Sequence, residues 1–94
     1  MLSDDEIKAR ILWKLKRRGN IAHSHTSFDN LAKGFEPRLL GKKGHRRIRE
    51  LAEDMIRDGL LNKKPTSYGL EVSINSTRLK DVDELIQKAG LPIK

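Results

Sequence analysis

The side chains that could do chemistry are few and poorly spaced for catalysis. His23 and His25 alternate, so on a strand they would share a face, and two imidazoles could chelate a metal ion with Asp29 further along. No third ligand stands at a convincing spacing, and the simpler reading is a polar lead-in to a helix. His45 has no acid or thiol partner identifiable in the sequence, which leaves nucleophilic catalysis without support. The glycines form neither G-x-x-x-x-G-K-[S/T] nor G-x-G-x-x-G, so no phosphate loop is expected. Asp4-Asp5-Glu6 and Asp81, Asp83 and Glu84 read as acidic helix starts. The expectation is no catalytic residue, no metal, no cofactor and no enzyme. What the sequence does gather is binding chemistry: Lys42, Lys43, Arg46, Arg47 and Arg49 stand just ahead of Glu50, Glu53 and Asp54.

An amphipathic helix must carry that cluster. Ile48, Leu51, Ala52, Met55 and Ile56 fall at i, i+3, i+4, i+7 and i+8, one face of a 3.6-residue period. Gly59 stands where a helix-ending glycine belongs. The helix is expected from Gly44 to Asp58, with a start anywhere between Pro37 and His45. With Ile48 and Met55 facing the core, Arg46, Glu50 and Arg57 point outward and Arg47 and Arg49 lie on the flanks. Its positive charge is therefore concentrated on the first turns.

The remaining elements follow from similar signals. Ser3 to Glu6 has the form of a capping box, and Ile7, Ile11 and Leu15 continue a helix from Asp4 to Arg18, stopped by Gly19-Asn20. Trp13 lies off its apolar stripe and is expected to pack on another element, such as the C-terminal part, or to serve as a partner contact. Ile21-Ala22 suggests a short strand. Thr26 or Ser27 can cap a helix over Phe28 to Lys33, ended by Gly34. Pro37 blocks a continuation in the same register, and Leu39 and Leu40 are expected to be buried in a turn or brief pre-helix. Leu60 to Lys64 reads as a strand, Pro65 to Gly69 as a turn, and Leu70, Val72 and Ile74 as an alternating strand. A last helix, capped by Asp81 in a D-x-x-E form, runs to Lys88. Its apolar face, with Leu91-Pro92-Ile93 beyond it, either covers the core beside helix 1 or pairs two subunits as a homodimer.

Bulk properties narrow the class. A chain of 94 residues makes one domain over 1–94. No apolar run approaches the ~18 residues of a membrane span, no cysteine is present, and MLSDDEIK lacks the apolar core of a signal peptide. A cytoplasmic protein away from membranes is expected. The net charge is +7, and its distribution is uneven. Lys8 to Arg49 holds thirteen lysines and arginines against Asp29 and Glu36 alone, whereas from Glu50 onward seven face eight acids. Such asymmetry points to a polyanionic partner, while basic surfaces also serve solubility.

The order of helix, short strand, helix, basic helix, hairpin and helix resembles the winged helix-turn-helix family. The resemblance covers residues 4–75 and rests on SFDNLAKGF, GHRRIRELAEDMIRDGLL and KKPTSYGLEVSIN. The basic helix running into DGLL and then a hairpin is its most specific part. The chain also looks like small winged-helix proteins of archaea. The implied fold is α+β: a winged helix-turn-helix with a three-helix core, a β-hairpin wing and an extra C-terminal helix. The implied partner is duplex DNA, with a recognition helix in the major groove and a wing on the neighbouring backbone.

On that resemblance Arg46, with Arg49 or Arg47, would read base edges, and Lys42 and Lys43 would reach phosphates. Lys63, Lys64, Thr66, Ser67 and Tyr68 would form the wing contact. Thr26 and Ser27 would donate to a phosphate, with Lys33 and Arg38 as further positioning contacts. Two departures stand out. The linker before the basic helix exceeds the family's usual turn of about 3–4 residues, and Glu50, Glu53 and Asp54 would repel phosphate if the whole helix lay in the groove. Arg46–Glu50, Arg49–Glu53 and Glu53–Arg57 can also be read as pairs on a solvated face. The implied function is a DNA-binding transcriptional regulator. The alternative is a winged-helix module that binds RNA or an acidic protein partner in a larger complex.

Overall fold

The computed structural model describes residues 1–92. Among them α1 is Asp4–Arg17, β1 Thr26–Ser27, α2 Pro37–Leu40, α3 Gly44–Arg57, β2 Leu61–Thr66, β3 Gly69–Ile74 and α4 Leu79–Lys88. Short 3-10 helices at Phe28–Ala32 and Ser76–Arg78 precede α2 and α4. The result is an α+β domain with one antiparallel sheet in the order β1-β3-β2.

α1 starts where its cap says it should. The Ser3 hydroxyl accepts from the Glu6 N–H at 3.1 Å, and the Glu6 carboxylate accepts from the Ser3 N–H at 3.0 Å. The helix buries Ile7, Ile11, Leu12 and Leu15 against α3, α4 and the sheet. α3 buries Ile48, Leu51, Ala52 and Met55, and the sheet adds Leu61, Val72 and Ile74. These side chains form one contiguous apolar core. Trp13 meets the C-terminal part, where its indole N–H donates to the Pro92 carbonyl at 2.6 Å. Val82 and Ile86 of α4 are buried in the same core, and Ile93 of the apolar tail lies outside the described residues.

Several local expectations are corrected. Ile21-Ala22 makes no strand: Ala22 adopts φ +57°, which breaks extended backbone, and Ile21 joins Ile74 only through a single parallel bridge. The paired strand is Thr26–Ser27, with Thr26 opposite Val72 and Ser27 opposite Glu71. The helix after it is a five-residue 3-10 turn, capped by Ser27, rather than an α-helix to Lys33. Pro37 opens α2, the position at which its missing N–H removes no bond. Leu40 is buried and Leu39 half-buried. Pro65 and Thr66 belong to β2 and Gly69 opens β3, so the hairpin turn narrows to Ser67-Tyr68. β2 is an edge strand, which tolerates a proline. Asp81 does not cap α4. The cap lies upstream, where the Asn75 carboxamide oxygen accepts from the Thr77 N–H at 3.1 Å and its NH2 donates to the Gly59 carbonyl at 2.8 Å.

Candidate nucleic-acid interface

α3 begins without the devices that finish α1. Its N-cap residue, Lys43, makes no side-chain cap, and its first turn contains no acid. The opening N–H groups and the helix dipole therefore add to the positive charge of exposed Lys42, Lys43 and Arg46. Gly41 allows the turn into this end by adopting φ +82°. Arg46 is exposed and lies 3.8 Å from Glu50 one turn on, a solvated pair of little energetic weight. Arg57 pairs with Asp54 rather than Glu53.

The three arginines of the first turns separate by direction. Arg49 shares a shallow cleft with Phe28, Asp29, Ala32, His45 and Ile48, between the 3-10 helix and α3. Arg47 turns inward. Its guanidinium donates to the carbonyls of Leu40 and Leu2, each at 3.0 Å, and to Asp4 at 2.9 Å. It clamps the N-terminus and α2 onto α3. His45, which sequence reasoning set aside, joins Arg49 on this candidate surface. The signal was the i, i+4 spacing of His45 and Arg49, which places both on one helix face.

No family model, curated protein or solved structure matches the chain.

The hairpin divides its candidates in the same way. Lys63 stands opposite Val72 and Lys64 opposite Glu71. Strand alternation puts Lys63 on the side of Leu61 and Val72, which faces the core, and Lys64 on the other side beside a carboxylate. The Thr66 hydroxyl braces the turn, donating to the Gly69 carbonyl at 2.7 Å and accepting from the Tyr68 N–H at 3.2 Å. Ser67 is exposed at the tip, and Tyr68 beside it is 100% exposed. Ser27 caps the 3-10 helix through the Asp29 N–H, and Thr26 accepts from the Asn30 NH2 at 3.0 Å. Thr26 lines a cleft with Lys14 and Arg18, on the flank of the 3-10 helix away from His45 and Arg49. Arg38 pairs with Glu36 at 2.6 Å, and Lys33 is exposed. The His25 ring nitrogen Nδ1 lies 3.1 Å from the His23 carbonyl, so that ring turns onto its own backbone.

The structure thus brings Lys42, Lys43, His45, Arg46 and Arg49 to one end of α3. That end supplies guanidinium, ammonium and backbone donors with no carboxylate among its opening residues, a surface suited to binding an anion.

Proposed function

We propose that this chain is a winged-helix protein that binds duplex DNA and regulates transcription in the cytoplasm by occupying its site. The observation that carries the reading is the start of α3: uncapped by a side chain, free of acids, and bearing exposed Arg46 and Arg49 directly after Lys42 and Lys43. Entry by the helix N-terminus, as helix-turn-helix proteins do, sets Arg46 and Arg49 against base edges and the two lysines against phosphates. Glu50, Glu53 and Asp54 limit the engaged length to the first two turns. The element order and the sheet order β1-β3-β2 support the resemblance on which this rests. Lys63, on the side of the hairpin that faces the helices, serves as the wing's backbone contact.

The test is fluorescence anisotropy with random-sequence DNA duplex, RNA duplex and single strands, at low and near-physiological salt. The expected result is preferential binding of DNA duplex, with log K falling steeply against log salt as counterions are released. Absence of DNA binding at low salt overturns the reading. Preference for RNA duplex would move the same surface to RNA.

A further inference from the structure

We propose that the outward face of α1 is a second nucleic-acid-backbone site, so that one molecule holds two duplex segments. This rests on the reading of the chain as a duplex binder. Arg10, Lys14 and Arg18 stand at successive turns of α1, about 6 Å apart along its axis, with Arg17 beside them. One cleft is lined by Arg10, Trp13, Lys14 and Phe35, and a second by Trp13, Lys14, Arg17 and Arg18. Lys14 joins the two.

Ion pairing among the described residues leaves the cations of this face unpaired, as it does Lys42, Lys43 and Arg49 at the start of α3. Lys16, Arg38, Arg46, Arg47, Arg57 and Arg78 each pair with a carboxylate. Among the described residues Arg10, Lys14, Arg17 and Arg18 form no ion pair. Glu6, one turn from Arg10, is held in the capping box with Ser3. The Lys14 ammonium is buried without a hydrogen-bond acceptor, and burial lowers its pKa. Burial favours its neutral form, so the accessible cations of this face are Arg10, Arg17 and Arg18.

The aromatic rings argue for a backbone ligand. Arg17 covers the Trp13 ring at 4.7 Å and Lys14 covers the Phe35 ring at 5.5 Å. Each ring already carries a cation on one face, which leaves less aromatic surface for base stacking or for the apolar anchor of an acidic peptide. What remains is a row of cations in which Arg10 and Arg18 stand about 12 Å apart along the helix axis, suited to separate phosphates of a duplex. The site is distinct from α3. Asn30 and Leu31 of the 3-10 helix face Lys14 and Arg18, whereas Phe28, Asp29 and Ala32 face His45 and Arg49, so the 3-10 helix separates the two surfaces.

Trp13 is the chain's one tryptophan and reports on this face. The experiment mixes donor-labelled and acceptor-labelled DNA duplexes with the protein at low salt, and follows anisotropy, energy transfer and Trp13 emission. Arg10→Gln/Arg18→Gln leaves the Trp13–Arg17 stack in place, and Arg18→Gln alone, at an exposed position, is the milder control. Wild type is expected to show a first binding step by anisotropy. A second step should then bring transfer between duplexes and a change in Trp13 emission. The double variant is expected to keep the first step, lose the transfer, and lower the salt slope of any residual second step by about two. One duplex bound with no transfer and silent Trp13 would overturn this inference while leaving α3 as a DNA site. Equal weakening of the first step in the variant would also overturn it, by making α1 part of a single footprint. No duplex bound at all would sink the proposed function itself. A Trp13 response to poly-glutamate alone would reassign the face to an acidic protein.

Discussion

The Arg47 guanidinium bridges three segments that are distant in sequence: Leu2 and Asp4 at the N-terminus, Leu40 at the end of α2, and α3 itself. Its side chain keeps 24% exposure, against 67% for its neighbour Arg46. Arg47→Ala leaves two carbonyl oxygens without their donor and is expected to lower unfolding free energy by about 1–3 kcal/mol. The exposed Asp4 arm adds little to that. Arg46→Ala is expected to stay within about 0.5 kcal/mol of wild type, and to relax the preference among duplex sequences if Arg46 reads a base. Urea denaturation of both variants, together with duplex competition assays, checks the contrast. An Arg47→Ala protein as stable as wild type would remove Arg47 from its role as a clamp.

At the level of elements, the two long helices and the hairpin were legible because their signals are local. Ser3 and Glu6 are three residues apart, the apolar period of α3 runs unbroken from Ile48 to Met55, and Leu70, Val72 and Ile74 alternate. The start of α4 was not legible, because two plausible caps competed. Asp81 has the right spacing to Glu84, yet it lies inside the helix and pairs with Arg78 at 2.6 Å. Asn75 caps a 3-10 turn that feeds α4 and also ties that turn to the Gly59 carbonyl, a contact no local pattern encodes. Asn75→Ala is therefore expected to cost about 1–2 kcal/mol as a lost cap and a lost tertiary bond. Asp81→Ala removes only a partly exposed pair and is expected to cost under about 1 kcal/mol. Thermal melts of the two variants decide it, and the reverse order would restore Asp81 as the cap. The inward turn of Arg47 was not legible for a related reason. Helical periodicity assigns it a flank, but whether a flank meets solvent or carbonyls depends on where Leu2 and Leu40 arrive in space.

For the molecule as a whole, the fold converts a charge asymmetry along the sequence into distinct surfaces. Register is what sorts the hairpin. Lys63 and Lys64 are adjacent in the chain and would read as one basic patch, but β2 sends them to opposite sides of the sheet. Lys63 continues the side that carries Leu61 and packs toward α3, and Lys64 stands directly across the ladder from Glu71, a position that favours opposite charges. On the proposed reading, a duplex engaged by the start of α3 meets the first lysine rather than the second. Lys63→Ala is expected to weaken all duplexes alike and to reduce the salt slope by about one, the signature of one lost phosphate contact. Lys64→Ala should leave the slope unchanged. Salt titrations of both variants on one duplex make the comparison. Equal loss in both would mean that the hairpin meets the backbone edge-on, with its two faces straddling a strand. No loss in either would confine binding to the helical surfaces, and the hairpin would then be a support for α3 without a contact of its own.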